Sequence, residues 1–110
     1  ALPVIQIKPK STFFDLKSKY DGTTEEIVPA PIDKKLAETL QGIAVNAHKA
    51  LGLRHFSRTD IIIDQQGNPQ VLDTNPIPGF TSESLVPKAA KVAGFSFEDL
   101  VEHLVKLALK

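Results

Sequence analysis

The sequence runs to 110 residues, with 42% hydrophobic and 24% charged residues, 6 glycines and 8 prolines. That is chain enough for one modest core, and the composition excludes disorder, collagen-like repeats and low complexity. Thirteen basic and thirteen acidic residues cancel to a formal net charge of zero, which argues against a general nucleic-acid or membrane-surface binder.

No apolar run reaches the ~18 residues of a membrane span, and no signal-peptide pattern opens the chain. Cysteine is absent, so disulfides and thiolate metal sites are excluded and any metal must be held by oxygen or histidine. Methionine is absent too, even at position 1, so the chain reads as a piece of a longer protein or a processed product.

In chain order, Pro3 to Pro9 (PVIQIKP) alternates Val4, Gln6 and Lys8 against Ile5 and Ile7, which predicts a short strand. Lys10 to Pro31 is polar, with a turn at Tyr20-Asp21-Gly22, and predicts a long loop broken by a short strand at Glu25 to Val28. Loops of this length inside a domain are usually functional or disordered. Asp33 is an N-cap for a helix whose apolar positions Leu36, Leu40, Ile43, Ala44, Ala47 and Leu51 step at helical spacing, with Gly52 as the stop.

Thr59 to Asp64 (TDIIID) and Gln70 to Asn75 (QVLDTN) flank Gln66-Gly67-Asn68-Pro69 and predict a β-hairpin. Leu85 to Ala93 reads as a short helix closed by Gly94. Ser96 with Asp99 forms a capping box for the last helix, whose predicted buried stripe is Phe97, Leu100, Val101, Leu104, Val105 and Ala108. The order is that of an α+β fold with an antiparallel sheet and flanking helices. No Gly-rich dinucleotide or P-loop pattern is present.

The polar residues of the hairpin carry the chemistry. Arg58, Asp60, Ile62 and Asp64 share one face of the first strand, and Asp73 and Asn75 share one face of the second. A four-residue loop, Gln65 to Asn68, would set Asp60 directly opposite Asp73, with Cβ atoms ~5 Å apart. A slip of one residue would turn Asp73 and Asn75 to the other face. All the candidate ligands are oxygens, which select Mg²⁺, Mn²⁺ or Ca²⁺ over zinc and leave positions open for substrate phosphates. Arg58 beside them is suited to charge on a transferred phosphoryl group. On spacing alone a second reading stands, in which Asp60 is an exposed strand residue and Asp73-Thr74-Asn75 ends a strand. His48, His55 and His103 have no metal-like spacing and read as structural or surface residues.

The run from Asn75 to Ala90 (NPIPGFTSESLVPKAA) resembles the signature of the D-alanine–D-alanine ligase family: an acidic-x-Asn strand end, a Pro-Gly-x-Thr loop, then Ser-Leu opening a helix. Arg58-x-Asp60, Gly94-Phe95-Ser96-Phe97, and Phe14-Asp15 leading to Lys19-Tyr20 are further matches, and the resemblance extends from about Leu2 to the C-terminus. It implies the C-terminal part of an ATP-grasp domain over residues 1–110, the N-terminal and central domains lying elsewhere. It also implies ligation of two D-alanines through an acyl phosphate, for peptidoglycan precursors. The implied cofactors are ATP and two Mg²⁺ (or Mn²⁺) ions. The implied partners are D-alanine and ATP, with no nucleic acid and no membrane, a cytoplasmic location, and a possible homodimer of the complete protein.

Carried over by residue, the resemblance makes Asp60, Asp73 and Asn75 the metal ligands. Arg58 holds the transferred phosphoryl group, and the Gly79 N–H helps stabilise the oxyanion. Ser84 and the Leu85 N–H bind the carboxylate of the second D-alanine at a helix start. Lys19 and Tyr20 lie on the loop over the phosphates and substrate. Simpler readings remain: a Pro-Gly turn for Gly79, an N-cap for Ser84, solvated loop positions for Lys19 and Tyr20.

Two departures stand out. Asp73 replaces the usual metal-bridging glutamate, which leaves the bridge open. Leu16-Lys17 replaces an aromatic and a glutamate before Tyr20, a residue that favours the dipeptide ligases over the D-lactate enzymes. The alternatives are a ligase for another amino or hydroxy acid, such as D-lactate or D-serine, and a truncated non-catalytic homologue. The isolated chain is expected to lack ligase activity.

Overall fold

A computed structural model describes residues 1–9 and 24–110. Strand β1 (Gln6–Pro9) pairs antiparallel with β2 (Thr24–Ile27), and helix α1 (Lys34–Ala50) follows. Strands β3 (Arg58–Ile63) and β4 (Pro69–Asn75) form the hairpin, then α2 (Leu85–Val92) and α3 (Phe97–Ala108) complete the chain. The architecture is the expected α+β, with the antiparallel structure among the described residues divided between two two-stranded ribbons. The expected loop positions Lys19 and Tyr20 lie outside the described residues, as does the Phe14-Asp15 match.

The helix ends follow local chemistry. Asp33 Oδ1 accepts from the Leu36 N–H at 2.6 Å, which supplies a partner for one of the donors left free at a helix start. Past α1, the Gly52 N–H donates to Lys49 O and the Leu53 N–H to His48 O. Gly94 and Phe95 repeat that pattern on Lys91 and Ala90. Both glycines sit at positive φ, +65° and +101°, the left-handed conformation this helix stop requires. At α3 the Ser96–Asp99 capping box is complete, with both reciprocal bonds formed.

The core is small and lies between α2 and α3. Val86, Ala90 and Leu100 are buried there, with Leu2, Phe56, Phe80 and Leu104 packed against them. Burying one such leucine contributes roughly 1.5–3 kcal/mol. The stripe expected on α3 is narrower than its sequence suggests. Leu100 is buried and Phe97, Leu104 and Leu107 are half-buried, whereas Val101, Val105 and Ala108 are exposed. Each of these valines is one residue, about 100° of helical turn, beyond Leu100 or Leu104, and α2 meets only the leucine edge.

Candidate functional site

The hairpin sets the geometry. Its turn is a three-residue loop: the Gly67 N–H donates to Asp64 O at 3.0 Å and the Asp64 N–H to Asn68 O at 2.9 Å. Gly67 takes the left-handed position at φ +84°, as this turn type requires. Asp64 closes the turn with its side chain, Oδ1 accepting from the Gln66 and Asn68 N–H groups and Oδ2 from Gln70 Nε2. These bonds, the Asn68 N–H foremost, hold the Asp64 carboxyl below the usual aspartate range.

From this turn the ladder pairs Ile63 with Pro69, Ile62 with Gln70 and Ile61 with Val71. Continued unchanged, it would set Leu72 opposite Asp60. Instead β4 bulges: Leu72 is the extra residue, and Asp60 pairs with Asp73, Thr59 with Thr74 and Arg58 with Asn75. Asp60 thus faces Asp73 as the sequence predicts, but the loop has three residues rather than four, and the bulge supplies the remaining step.

Arg58 lies against Asp60 as a fork, Nε to Oδ1 at 2.9 Å and Nη2 to Oδ2 at 3.2 Å, both side chains half-buried. Asn75 Oδ1 accepts the Ile77 N–H at 2.9 Å, which steers the chain out of β4. Thr59 and Thr74 hydroxyls meet across the strands at 3.2 Å on the opposite face. Two carboxylates directly opposite each other repel, and Arg58 neutralises only one of them. Each oxygen of Asp60 and Asn75 keeps a lone pair beyond the bonds described. The set therefore fits a hard cation held by Asp60, Asp73 and Asn75. Among the described residues, no three His, Cys, Asp or Glu side chains converge on one point.

After β4 the chain enters the loop that leads to α2. Phe80 anchors it, its ring 5.7 Å from Phe56 edge-to-face and 5.3 Å from Phe97. Neither Phe56 nor Phe80 stands out in the sequence as part of a site, yet Phe80 fixes Gly79 beside it. A Cβ on Gly79 would come within 3.1 Å of Ser84 Oγ, so the close approach that calls for glycine here is to Ser84.

Ser84 holds the N-cap backbone position of α2 but makes no side-chain cap. Its Oγ turns back to accept the Thr81 N–H at 2.9 Å and meets Thr81 Oγ1 at 2.9 Å. Ser84 is thus the N-cap of α2 by backbone position, as the simple reading has it, without the side-chain bond that usually accompanies one. The amide groups of the first turn, Leu85 among them, point out of the helix start without a Ser84 cap.

Of the histidines, His48 Nδ1 bonds Ser57 Oγ at 2.7 Å, and His103 lies 6.3 Å from the Phe95 ring. His55 takes φ 69°.

The family profile described as D-ala D-ala ligase C-terminus matches residues 1–106. The chain belongs to that family.

Among its ligase relatives, the D-alanine–D-alanine ligase of Maridesulfovibrio salexigens is 51% identical over 110 residues, 96% of this chain and 36% of the relative. That of Pelotomaculum thermopropionicum is 44% identical over 111 residues, all of this chain and 35% of the relative. Two solved structures superpose with TM-score 0.82. The Bacillus anthracis D-alanine–D-alanine ligase complexed with ATP is 29% identical, covering 98% of this chain and 34% of its own. The VanG D-Ala:D-Ser ligase of Enterococcus faecalis is 36% identical, covering 96% and 31%. The fold is thus the C-terminal part of the D-alanine–D-alanine ligase ATP-grasp architecture. The chain spans about a third of the length of the curated relatives it matches.

Proposed function

We propose that this chain is the metal-binding and second-substrate half of an ATP-dependent D-alanine–D-alanine ligase. The remaining domains, with the adenine site, belong to the complete protein. The observation that carries the reading is the Asp60–Asp73 juxtaposition beside Arg58 in a chain of this family.

In the reaction, a carboxylate oxygen of the first D-alanine attacks the γ-phosphorus of ATP, and the bond to the bridging oxygen breaks to release ADP. The amine of the second D-alanine attacks the acyl phosphate carbon. Loss of its proton and departure of phosphate leave the dipeptide. Asp60, Asp73 and Asn75 would hold two Mg²⁺ (or Mn²⁺) ions, which neutralise phosphate charge when bound. Arg58, kept by Asp60 in a fixed orientation, offers its outer N–H groups to the transferred phosphoryl group. The Gly79 N–H faces the developing oxyanion. Ser84 and the Leu85 N–H receive the carboxylate of the second D-alanine at the α2 start, where uncapped amides and the helix dipole favour an anion. Lys19 and Tyr20 are assigned to the phosphates and the substrate.

In this reading the product serves peptidoglycan synthesis and the complete protein is a cytoplasmic homodimer. Among the described residues, no helix is long and apolar enough to cross a membrane.

The test supplies the complete protein with ATP, Mg²⁺, D-alanine and D-serine and follows ADP and dipeptide by chromatography and mass spectrometry. D-alanyl-D-alanine is the expected product. A D-alanyl-D-serine product would favour the second reading, which the 36% identity to the VanG ligase supports. Failure to form either product or to bind Mg²⁺-ATP calorimetrically would leave a non-catalytic homologue. Residues 1–110 alone are expected to release no phosphate from ATP.

A further inference from the structure

Lys88 lies one helical turn beyond Ser84, and its N–H donates to Ser84 O at 3.1 Å. Side chains on a helix lean toward its N-terminus, so the Lys88 ammonium returns toward the turn that holds Ser84. There it meets Glu26 Oε1 on β2 at 2.5 Å, across 62 residues of sequence. The two side chains are 34% and 25% exposed. Glu83 is farther, at 3.9 Å, and 85% exposed. A half-buried charge-assisted hydrogen bond holds geometry far better than such a surface contact.

Among the described residues, the Glu26–Lys88 pair is the ion pair that joins distant parts of the chain; the others link residues two to five apart. It ties α2 to the β1–β2 ribbon, and the segment leading into β1 is separately tied to α1 by Gln41 Nε2 donating to Leu2 O at 2.9 Å. With its charge already matched by Glu26 and Glu83, Lys88 is poorly placed to serve as an anion ligand itself. Its chemistry is that of a tether.

We propose that Lys88 is a positioning residue for the second substrate, the Glu26–Lys88 pair clamping the Ser84 turn of α2 against β2. This rests on the reading of Ser84 and Leu85 as the carboxylate site of the second D-alanine. The clamp fixes where the α2 amides point, and through them the orientation of the incoming amine. ATP and the metal ligands on β3 and β4 are not reached by it.

The experiment compares wild type, Lys88→Met, Glu26→Gln and the charge-swapped Glu26→Lys/Lys88→Glu pair in the complete ligase. Methionine keeps an apolar stem of similar length without the charge. Losing one charge-assisted hydrogen bond should raise KM for the second D-alanine about tenfold in each single variant. The kcat and the KM for ATP should stay within about twofold, and the swapped pair should recover most of the loss. Unchanged KM in both single variants would overturn the inference. So would an effect of Lys88→Met that Glu26→Gln does not share, or a fall in kcat and thermal stability with no KM change. A wild type that makes no D-alanyl dipeptide would overturn the functional reading and this inference with it, whereas an active wild type with insensitive variants overturns the inference alone.

Discussion

Asp60 faces Asp73 across the hairpin because β4 carries one residue more than β3, and that residue is Leu72. The juxtaposition places two carboxylates together where only one has an arginine. Without a cation, such a pair costs stability. Asp73→Asn should therefore raise the thermal stability of the complete protein in EDTA by a few tenths of a kcal/mol. In Mg²⁺-ATP it should gain less than wild type, and its ligation rate should fall roughly 10²–10³-fold, the loss of about 3–4 kcal/mol of charge stabilisation. Thermal unfolding with and without Mg²⁺, alongside initial rates, checks this. A rate within a few-fold of wild type would remove Asp73 from the metal site.

Asp73→Glu probes the departure from the family in the other direction. The longer side chain restores the usual length at the same register, so activity should be retained and the Mg²⁺ requirement should not rise. Rates measured across an Mg²⁺ titration test this, and a loss as deep as that of Asp73→Asn would mean that the strand has adjusted to aspartate alone.

Gly79 is held by packing rather than by backbone conformation. A methyl group there would stand 3.1 Å from Ser84 Oγ, which two 2.9 Å contacts to Thr81 keep in place. Gly79→Ala should displace the hydroxyl by a few tenths of an ångström, and the hydrogen bonds weaken steeply as their geometry worsens. The expected outcome is a rise of about tenfold in KM for the second D-alanine, from roughly 1.4 kcal/mol of lost hydrogen bonding. Pairing it with Ser84→Ala tests the cause: if the clash is responsible, the added methyl should have little further effect in the Ser84→Ala background.

What the sequence made legible was whatever local spacing determines. The caps at Asp33 and Ser96 and the stops at Gly52 and Gly94 each depend on residues within a single turn, and all four are found. The Asp60–Asp73 pairing also emerged, although a three-residue turn and a bulge replace the four-residue loop, since Gly67 fixes a turn type that loop length alone does not. Spacing on α3 tells which residues share a face but not how wide a surface faces them, so the stripe it predicts includes Val101 and Val105, which are exposed. The Glu26–Lys88 pair and the Phe56–Phe80–Phe97 ring stack depend on contacts between distant segments, for which one sequence carries no periodic signal.

Asp64 predicts a pH dependence. Its ordinary value is 3.8, and the bonds it accepts from the turn, led by the Asn68 N–H, lower it in the folded protein. A group depressed on folding contributes stability that is present above its unfolded value and lost as pH falls through the folded one. Asp64→Ala should thus lower the melting temperature near pH 7. The difference should shrink as pH drops below 3.8 and vanish once both states are protonated. Melting curves of both proteins from pH 7 down to strong acid check the sign; a gap that widens toward low pH would contradict it.

His55 stands at φ 69° just ahead of Phe56 and the start of β3. A side chain in this left-handed region costs roughly 1–2 kcal/mol, which glycine does not incur. Glycine in turn gives up about 0.5–1 kcal/mol through the greater freedom of its unfolded chain. The balance favours His55→Gly by roughly 0.5–1 kcal/mol. The imidazole is exposed, so little packing is lost with it. The His48–Ser57 bond at 2.7 Å still anchors the segment to α1, so Arg58 should keep its place and the kinetic constants should not change. A higher melting temperature with unchanged kcat and KM is the expected result. Destabilisation would show that the imidazole makes a stabilising contact that outweighs the backbone strain.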